Sequence, residues 1–547
     1  MTRRVPKAPS KTEQEMLSEA VRLHGMGRLD EAAAAYGLVL KDDPLETVAL
    51  TNLAVIRKGE GKLQDAMSLW RRALEADPAD WGLHVSIGRT QVQMGDLRAA
   101  IVSCGKALEG NPRSVDALNI RGNALRRLEN LPAALLNFDQ ALIVEPDNAL
   151  LLENRGALLS QLGRHAAAVE DFSRSLALAP GQPALEAALL AEQLAICDWS
   201  AFDHATGRLH QNLPIERRVD HPHNFLMFSR SGADQLALAR RYAMARAPGS
   251  PPSLWNGEDY DHQRLRIAYV SADFRSHPVA YLIAGLLEHH DRSRFEVHAV
   301  ALGPRTDDPW RRRIAGAVEH FHDVAALDDR QAAMLLRNAE IDVAVDLNGY
   351  TQFCRPAIFA HRPAPIQVNF LGYPGTVGSR HVDYILADRH VIPPTHEAFY
   401  DEAVIRLPDS YFANTHGSRA VGPAPTRAAC GLPDKGFVFA SFNASKKINP
   451  ATFSIWMRLL GSVAGSVLWL MEGPEGAASN LREEAGVRGV DPARLVFAPR
   501  ANVDEHLARH QLADLFLDTS PYGAHTTGCD ALWAGVPIVT CPGEPFA

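Results

Sequence analysis

LETVALTNLAVIRKGEGKLQDAMSLWRRALEADP, residues 45–78, is one unit of a pattern that recurs along the first third of the chain. Its closing proline, Pro78, has counterparts at Pro44, Pro112, Pro146 and Pro180, a spacing of 34 residues. Ala66 stands in a column with Ala32, Ala100, Ala134 and Ala168. Gly61 stands in another with Gly27, Gly95 and Gly163, where Glu129 takes the fourth place. A fixed period with small residues in register marks stacked helix-turn-helix units. The quoted unit predicts a first helix over 45–58, a turn at Gly61 and a second helix over 63–75. The alanine column lets paired helices approach closely. Proline has no backbone donor, so it is expected at the start of the following helix.

Five such units, residues 11–180, are repeats of the tetratricopeptide type. Stacking them leaves a concave groove lined by the first helix of each pair. One position on that face carries Asn52, Ser86, Ile120 and Asn154. Asparagine amides on a groove can bind the backbone of an extended peptide; they are also ordinary solvated residues, and both readings stand. The array predicts protein or peptide partners, on architecture and not on a site.

The remaining bulk features exclude more than they assign. A length of 547 residues suggests several domains, and 46% hydrophobic residues are ample for packed cores. A net charge of -8 gives no basic footprint for nucleic acid. Six cysteines are scattered without a CxxC pair, which fits reduced thiols. The start, MTRRVPKAPSKTEQE, is basic without an apolar core, and no run of about 18 apolar residues follows. A cytoplasmic protein without a membrane anchor is expected. GxxxxGKS/T, GxSxG and GxGxxG motifs are missing, and His and Cys lack zinc spacing, so a P-loop ATPase, a common hydrolase and a common dehydrogenase are set aside.

Residues 181–261 predict a helical bridge, with helices at 181–198 and near 234–247. From 262 the pattern changes to short apolar strands alternating with helices, the mark of a mostly parallel sheet. Strands are predicted at 266–270, 295–302 and 341–347, then, beyond Gly422-Pro423-Ala424-Pro425, at 437–440, 466–470, 495–497, 514–518 and 537–540. This gives two doubly wound lobes, 262–420 and 436–547, whose ligands belong at the carboxyl ends of the strands.

The densest polar constellation is Asp518 to Trp533, DTSPYGAHTTGCDALW, which leaves a strand and opens a helix. Thr526 and Thr527 fall in the first helical turn, where free amides and the dipole favour an anion. With His525 they suit a diphosphate, and Asp530 suits ribose hydroxyls; a merely well-capped helix reads the same way. Lys447, in Lys446-Lys447 after the strand of Phe439, suits a leaving phosphate if it faces the cleft. His277 precedes Pro278 at a helix start and either polarises a substrate hydroxyl or caps the helix. Gly372-Tyr373-Pro374 lies in a Gly/Pro loop that brings backbone close to a ligand or makes a tight turn.

SADFRSHP, DLNGYT, RPAPIQVNFLGYPGT, FNASKKINP, FAPRANVDEHLARHQLADLFLDT and GAHTTGCDALWAGVPIVTCPGE together resemble the O-linked N-acetylglucosamine transferase family, which includes the plant SPINDLY proteins. The resemblance implies a multidomain chain: an all-α tetratricopeptide superhelix followed by an α/β GT-B fold of two Rossmann-like lobes. It implies inverting, metal-independent transfer of N-acetylglucosamine from UDP-N-acetylglucosamine to protein Ser or Thr, with no cofactor beyond the donor. By the same resemblance His277 is the active-site histidine and Lys447 stabilises the departing diphosphate. His525, Thr526 and Thr527 bind phosphate, Asp530 the ribose, and Ala501, His506 and Arg509 lie in the segment that holds the base. Gly372, Tyr373 and Pro374 flank the sugar and acceptor.

Ala444, Lys446 and Val503 depart from the pattern of the animal enzymes around the lysine and base, which leaves GDP-fucose open as donor. Joining of the lobes near 421–435 without a long insert implies a bacterial-type member. A non-catalytic repeat scaffold, or a transferase acting on a glycan or lipid, also stands as an alternative. The chain ends at Gly543-Glu544-Pro545-Phe546-Ala547, just after a strand, so a truncated and incomplete second lobe is expected, which leaves open whether this chain is active by itself.

Overall fold

The computed structural model describes residues 11–212, 221–247, 251–414 and 421–547. The basic stretch at 1–10, most of the proline turn at 247–252 and the last residues of the first lobe's range, 415–420, therefore lie outside the described residues. The chain divides into two compact units at Gly181/Gln182.

In the first unit the period is literal. Helix pairs Thr47–Gly59 and Leu63–Ala76, Trp81–Gln93 and Leu97–Gly110, Val115–Arg127 and Leu131–Val144, and Ala149–Gln161 and His165–Leu178 follow one another, each pair of 13 and 14 residues. Helices Lys11–Gly25 and Leu29–Asp42 precede them. The alanine column is fully buried. Beside it, a small residue of the first helix faces a large one of the second. A Cβ on Gly122 would come within 2.8 Å of the Phe138 ring, and one on Gly156 within 2.5 Å of Phe172.

The prolines differ from the expectation. Pro78 directly follows Asp77, the C-cap of Leu63–Ala76, while the next helix starts at Trp81. Its true N-cap is Asp80, whose carboxylate accepts from the Gly82 and Leu83 amides at 2.8 and 3.2 Å. The proline therefore closes one helix instead of opening the next.

The glycine column is a backbone requirement. Gly27, Gly61, Gly95 and Gly163 all have φ between +72° and +83°, and Glu129 is forced to +61°. A left-handed residue with a side chain costs about 1–2 kcal/mol. Glu129→Gly is expected to stabilise the array by about 0.5–1 kcal/mol after the added freedom of the unfolded chain is subtracted. An unchanged or lowered urea midpoint would count against that account.

The second unit holds two parallel sheets. The first contains β1 (Leu265–Ser271), β2 (Phe295–Ala301), β3 (His320–Asp323), β4 (Val343–Asp346), β5 (Ile366–Asn369), β6 (Tyr384–Ala387) and β7 (Ala403–Arg406), in the order β3-β2-β1-β4-β5-β6-β7. The second contains β8 (Val438–Ser441), β9 (Val467–Met471), β10 (Leu495–Ala498), β11 (Leu515–Leu517) and β12 (Ile538–Val539), in the order β10-β9-β8-β11-β12. Both reverse direction between two central strands, β1 and β4 or β8 and β11, and so open a crevice at their carboxyl ends. The strands β3, β5, β6 and β7 were not expected. HFHD and IQVN mix polar with apolar side chains, and YILA and AVIR are closely bounded by the charged residues Asp383, Asp388 and Glu402, so none reads as an apolar run.

The bridge segment belongs to this second unit. Its helices Pro183–Ala195, Phe202–Asn212, Pro222–Phe225 and Gly232–Arg246 pack into the lobes. Leu190, Leu194, Trp199 and Tyr242 share one hydrophobic core with Tyr350 and Tyr373 of the first lobe and Phe453 and Trp456 of the second. The Ser445 hydroxyl donates to Ala195 O at 2.6 Å, and the Asn480 amide to Ile196 O at 2.8 Å. Among the described residues no helix is long and apolar enough to cross a membrane.

Candidate functional site

Two strand ends in the second sheet define the site. β11 runs into Asp518, and β8 into Phe442-Asn443. One oxygen of Asp518 accepts from the Thr519 and Ala524 amides, at 2.7 and 2.6 Å, and from the Asn443 side chain at 3.1 Å. Its other oxygen accepts from the Thr540 hydroxyl at 2.7 Å. Asn443, 2% exposed, also donates to the Thr519 hydroxyl at 3.0 Å and accepts from the Thr527 hydroxyl at 2.6 Å. Four segments are thereby fixed to one carboxylate: the β8 end, the β11 end, the loop 519–525 and the β12 end.

That loop delivers helix Thr526–Trp533, whose amino end has no side-chain cap. Lys447 lies in the 3-10 turn Ser445–Lys447 and donates from Nζ to Gly523 O at 2.7 Å. Its ammonium stands 3.7 Å from the centre of the Tyr522 ring. Burial lowers its pKa to about 7; Asp518 works against the fall and Lys446 adds to it. His525 is enclosed by Tyr411, Tyr522 and Phe546. Burial, then the neighbouring Lys447, lowers its pKa to about 3, so the ring is neutral.

A cavity of about 170 Å³ opens between the lobes. Ala501, Val503, His506, Thr526, Cys529 and Asp530 form its second-lobe wall, and Pro278, Tyr281, Leu282 and Asn414 the opposite one. His506 Nε2 is 3.9 Å from Asp530 Oδ2. Arg509 does not line the cavity. It is 5% exposed, donates to Pro499 O at 2.5 Å, and places a guanidinium nitrogen 2.6 Å from His506 Nδ1. It orients His506 from behind. Burial lowers its pKa.

His277 adjoins the cavity as the N-cap of helix Pro278–Glu288. Its Nδ1 accepts from the Val279 amide at 3.3 Å and lies 3.7 Å from Asp273 Oδ2. The backbone bond leaves the ring proton on Nε2. Burial lowers the pKa of the ring, with Asp273 opposing. Asp273 is held by Asn348 Nδ2 at 3.1 Å, and Asn348 Oδ1 accepts from the Ala272 amide at 2.6 Å, so the ends of β1 and β4 are tied together.

The Gly372-Tyr373-Pro374 loop does not line this cavity. Tyr373 is 3% exposed and packs against Tyr350, ring centres 5.5 Å apart. Asn52 and Asn154 sit in the repeat unit with their amides engaged: Asn52 with Tyr36, and Asn154 as donor to Asn119 Oδ1 at 2.9 Å. Sequence reasoning missed Asn443 and, on the first-lobe wall, Tyr281, Leu282 and Asn414. Asn443 carried a signal, a buried polar residue directly after a strand; Tyr281, Leu282 and Asn414 carried none.

A Cβ on Gly372 would stand 2.0 Å from Leu347 O at the end of β4, a backbone atom that cannot turn aside. Gly372→Ala is expected to cost at least about 2 kcal/mol as an overpacked core position. Thermal unfolding checks this, and a melting temperature within a degree or so of the parent would overturn it.

A family model described as glycosyl transferase family 41 matches residues 196–421 and 418–547. A tetratricopeptide repeat model matches 17–80, 85–136 and 121–183. The probable UDP-N-acetylglucosamine-peptide N-acetylglucosaminyltransferase SEC of Arabidopsis thaliana is 38% identical over 327 residues, 57% of this chain and 34% of the plant protein. The UDP-N-acetylglucosamine-peptide N-acetylglucosaminyltransferase of Caenorhabditis elegans is 29% identical over 483 residues, 64% of this chain and 42% of the nematode protein. The chain thus spans well under half the length of these curated relatives. Among solved structures, a lysine-to-methionine variant of the Thermobaculum terrenum O-GlcNAc transferase aligns with TM-score 0.58 and 28% identity, covering 86% of this chain and 84% of that one.

Proposed function

Because the chain belongs to glycosyl transferase family 41, we propose that it transfers N-acetylglucosamine from UDP-N-acetylglucosamine to serine or threonine hydroxyls of proteins, inverting the anomeric centre without a metal. The observation that carries this reading is the Lys447 ammonium, held by Gly523 O, beside an uncapped helix amino end whose leading loop is anchored to Asp518, with Thr526 of that helix lining an interlobe cavity. Such a site neutralises a diphosphate with fixed dipoles and one cation.

The donor's base lies near Ala501 and His506, its ribose near Asp530, and its phosphates at Thr526 and the amides of the helix start. The acceptor oxygen attacks the anomeric carbon as the bond to the diphosphate oxygen breaks; the hydroxyl proton passes to an oxygen of the departing diphosphate, and the remaining negative charge collects on that leaving group. Lys447 answers that charge. His277, neutral and protonated on Nε2, donates a hydrogen bond and orients an oxygen rather than removing its proton. The tetratricopeptide array supplies the surface for protein acceptors.

Lys447→Ala is expected to lower turnover of UDP-N-acetylglucosamine about a hundredfold or more, the usual loss on removing a donor aimed at developing charge. Near-normal turnover would remove Lys447 from this role. Calorimetry with UDP and with GDP tests the donor: preference for GDP would move the reading to fucosyl transfer.

The titration of Lys447 gives a second test. An anion favours the ammonium form, so diphosphate binding raises a pKa that starts near 7. Above pH 7 binding must take up a proton, and affinity falls as pH rises from about 7 to 9. Calorimetry of UDP in buffers of different ionisation enthalpy measures the uptake, which Lys447→Ala should abolish.

A further inference from the structure

We propose a second ligand site: a transition-metal site of the zinc class, formed by Glu296, His298 and His320 at the edge of the first-lobe sheet, with His322 behind it. Glu296 and His298 alternate on β2, His320 and His322 alternate on β3, and the strand register sets His298 beside His320. Alternation places each pair on one face of its strand. The rings show that it is a shared face, since the His298 centre lies 4.4 Å from that of His320 and 5.4 Å from that of His322.

The three candidate ligand atoms lie within 4.8 Å of one another. Glu296 Oε1 is 3.1 Å from His298 Nε2 and 3.3 Å from His320 Nε2. Ligands about 2.0–2.2 Å from a tetrahedral zinc stand roughly 3.3–3.5 Å apart, so little movement is needed to admit an ion. The other nitrogen of His298, Nδ1, is 3.1 Å from His322 Nε2. That contact orients the ring and leaves Nε2 for the metal, as an outer-shell partner does.

The surrounding charge permits a cation. Arg264 and Arg266 approach Glu296 at 3.1 and 3.6 Å, but Arg264 is also paired with Glu319, and Arg266 with Glu340, at 3.2 and 3.1 Å. Arg292 pairs with Glu319 at 2.6 Å. Three guanidinium groups therefore meet three carboxylates. His298 is 5% exposed and His320 48%, which gives a fixed base and an opening to solvent. Glu296 and His320 sit near the amino ends of β2 and β3, whereas the interlobe cavity lies at the carboxyl ends of the strands. The site would clamp the four-residue edge strand β3 to β2.

The test is titration of the full chain with Co²⁺, followed by displacement with Zn²⁺. One equivalent should give the visible bands of a four-coordinate nitrogen and oxygen site, lost on adding one equivalent of Zn²⁺. His320→Ala should weaken binding by at least about a hundredfold. Because His320 is half exposed, this variant should melt at the parent's temperature without metal and lose the rise that Zn²⁺ gives the parent. His320→Cys should keep the site and add a thiolate-to-cobalt charge-transfer band. A Cys541→Ser background excludes the exposed thiol as the ligand. Absence of stoichiometric binding, or binding unchanged in His320→Ala, would overturn the proposal.

Discussion

The carboxylate of Asp518 is the interaction on which the second lobe's site depends. It sits at the end of β11 and gathers the amides of Thr519 and Ala524, the Asn443 side chain and the Thr540 hydroxyl. These four donors fix the orientation of the carboxylate and hold the β8, β11 and β12 ends to it. The same negative charge opposes the fall in the pKa of nearby Lys447. Remove it, and the loop that positions the helix start loses its anchor while the lysine loses a nearby counter-charge. Structural support and electrostatics are supplied here by one group.

How much was legible in the sequence follows from the range of the interactions. The repeats could be read almost completely, since each pair of helices is decided within 34 residues and the columns restate the packing. The turn position even shows its requirement through four glycines, and Glu129 marks where the requirement is met at a cost. The central strands of both sheets were visible as apolar runs. The strands β3, β5, β6 and β7 were hidden because polar residues interrupt or closely bound their apolar side chains, and they form because neighbouring strands offer them hydrogen bonds.

The site was legible where it follows a strand end: Lys447, His525, Thr526 and Thr527 all leave β8 or β11. Residues meeting across the cleft were not. Tyr281 and Leu282 resemble any apolar helix positions, and only the approach of the two lobes puts them opposite Asp530. Arg509 shows the opposite error. Ala501 and His506 of its segment line the cavity, but its own side chain turns inward, because the Pro499 carbonyl and the Phe442 ring offer a buried guanidinium partners that the cavity does not.

The helices 183–246 have a consequence for how the chain is made. They leave the ribosome before either lobe, yet their partners include Ser445 and Asn480, separated from them by 250 and 284 residues. At about 5–20 residues per second, those partners arrive on the order of tens of seconds later. Leu190, Leu194 and Trp199 must stay soluble through that interval with much of their core missing. Vectorial synthesis therefore delays the second unit's most distant contacts until the end, and the two lobes should unfold as one cooperative body rather than in sequence.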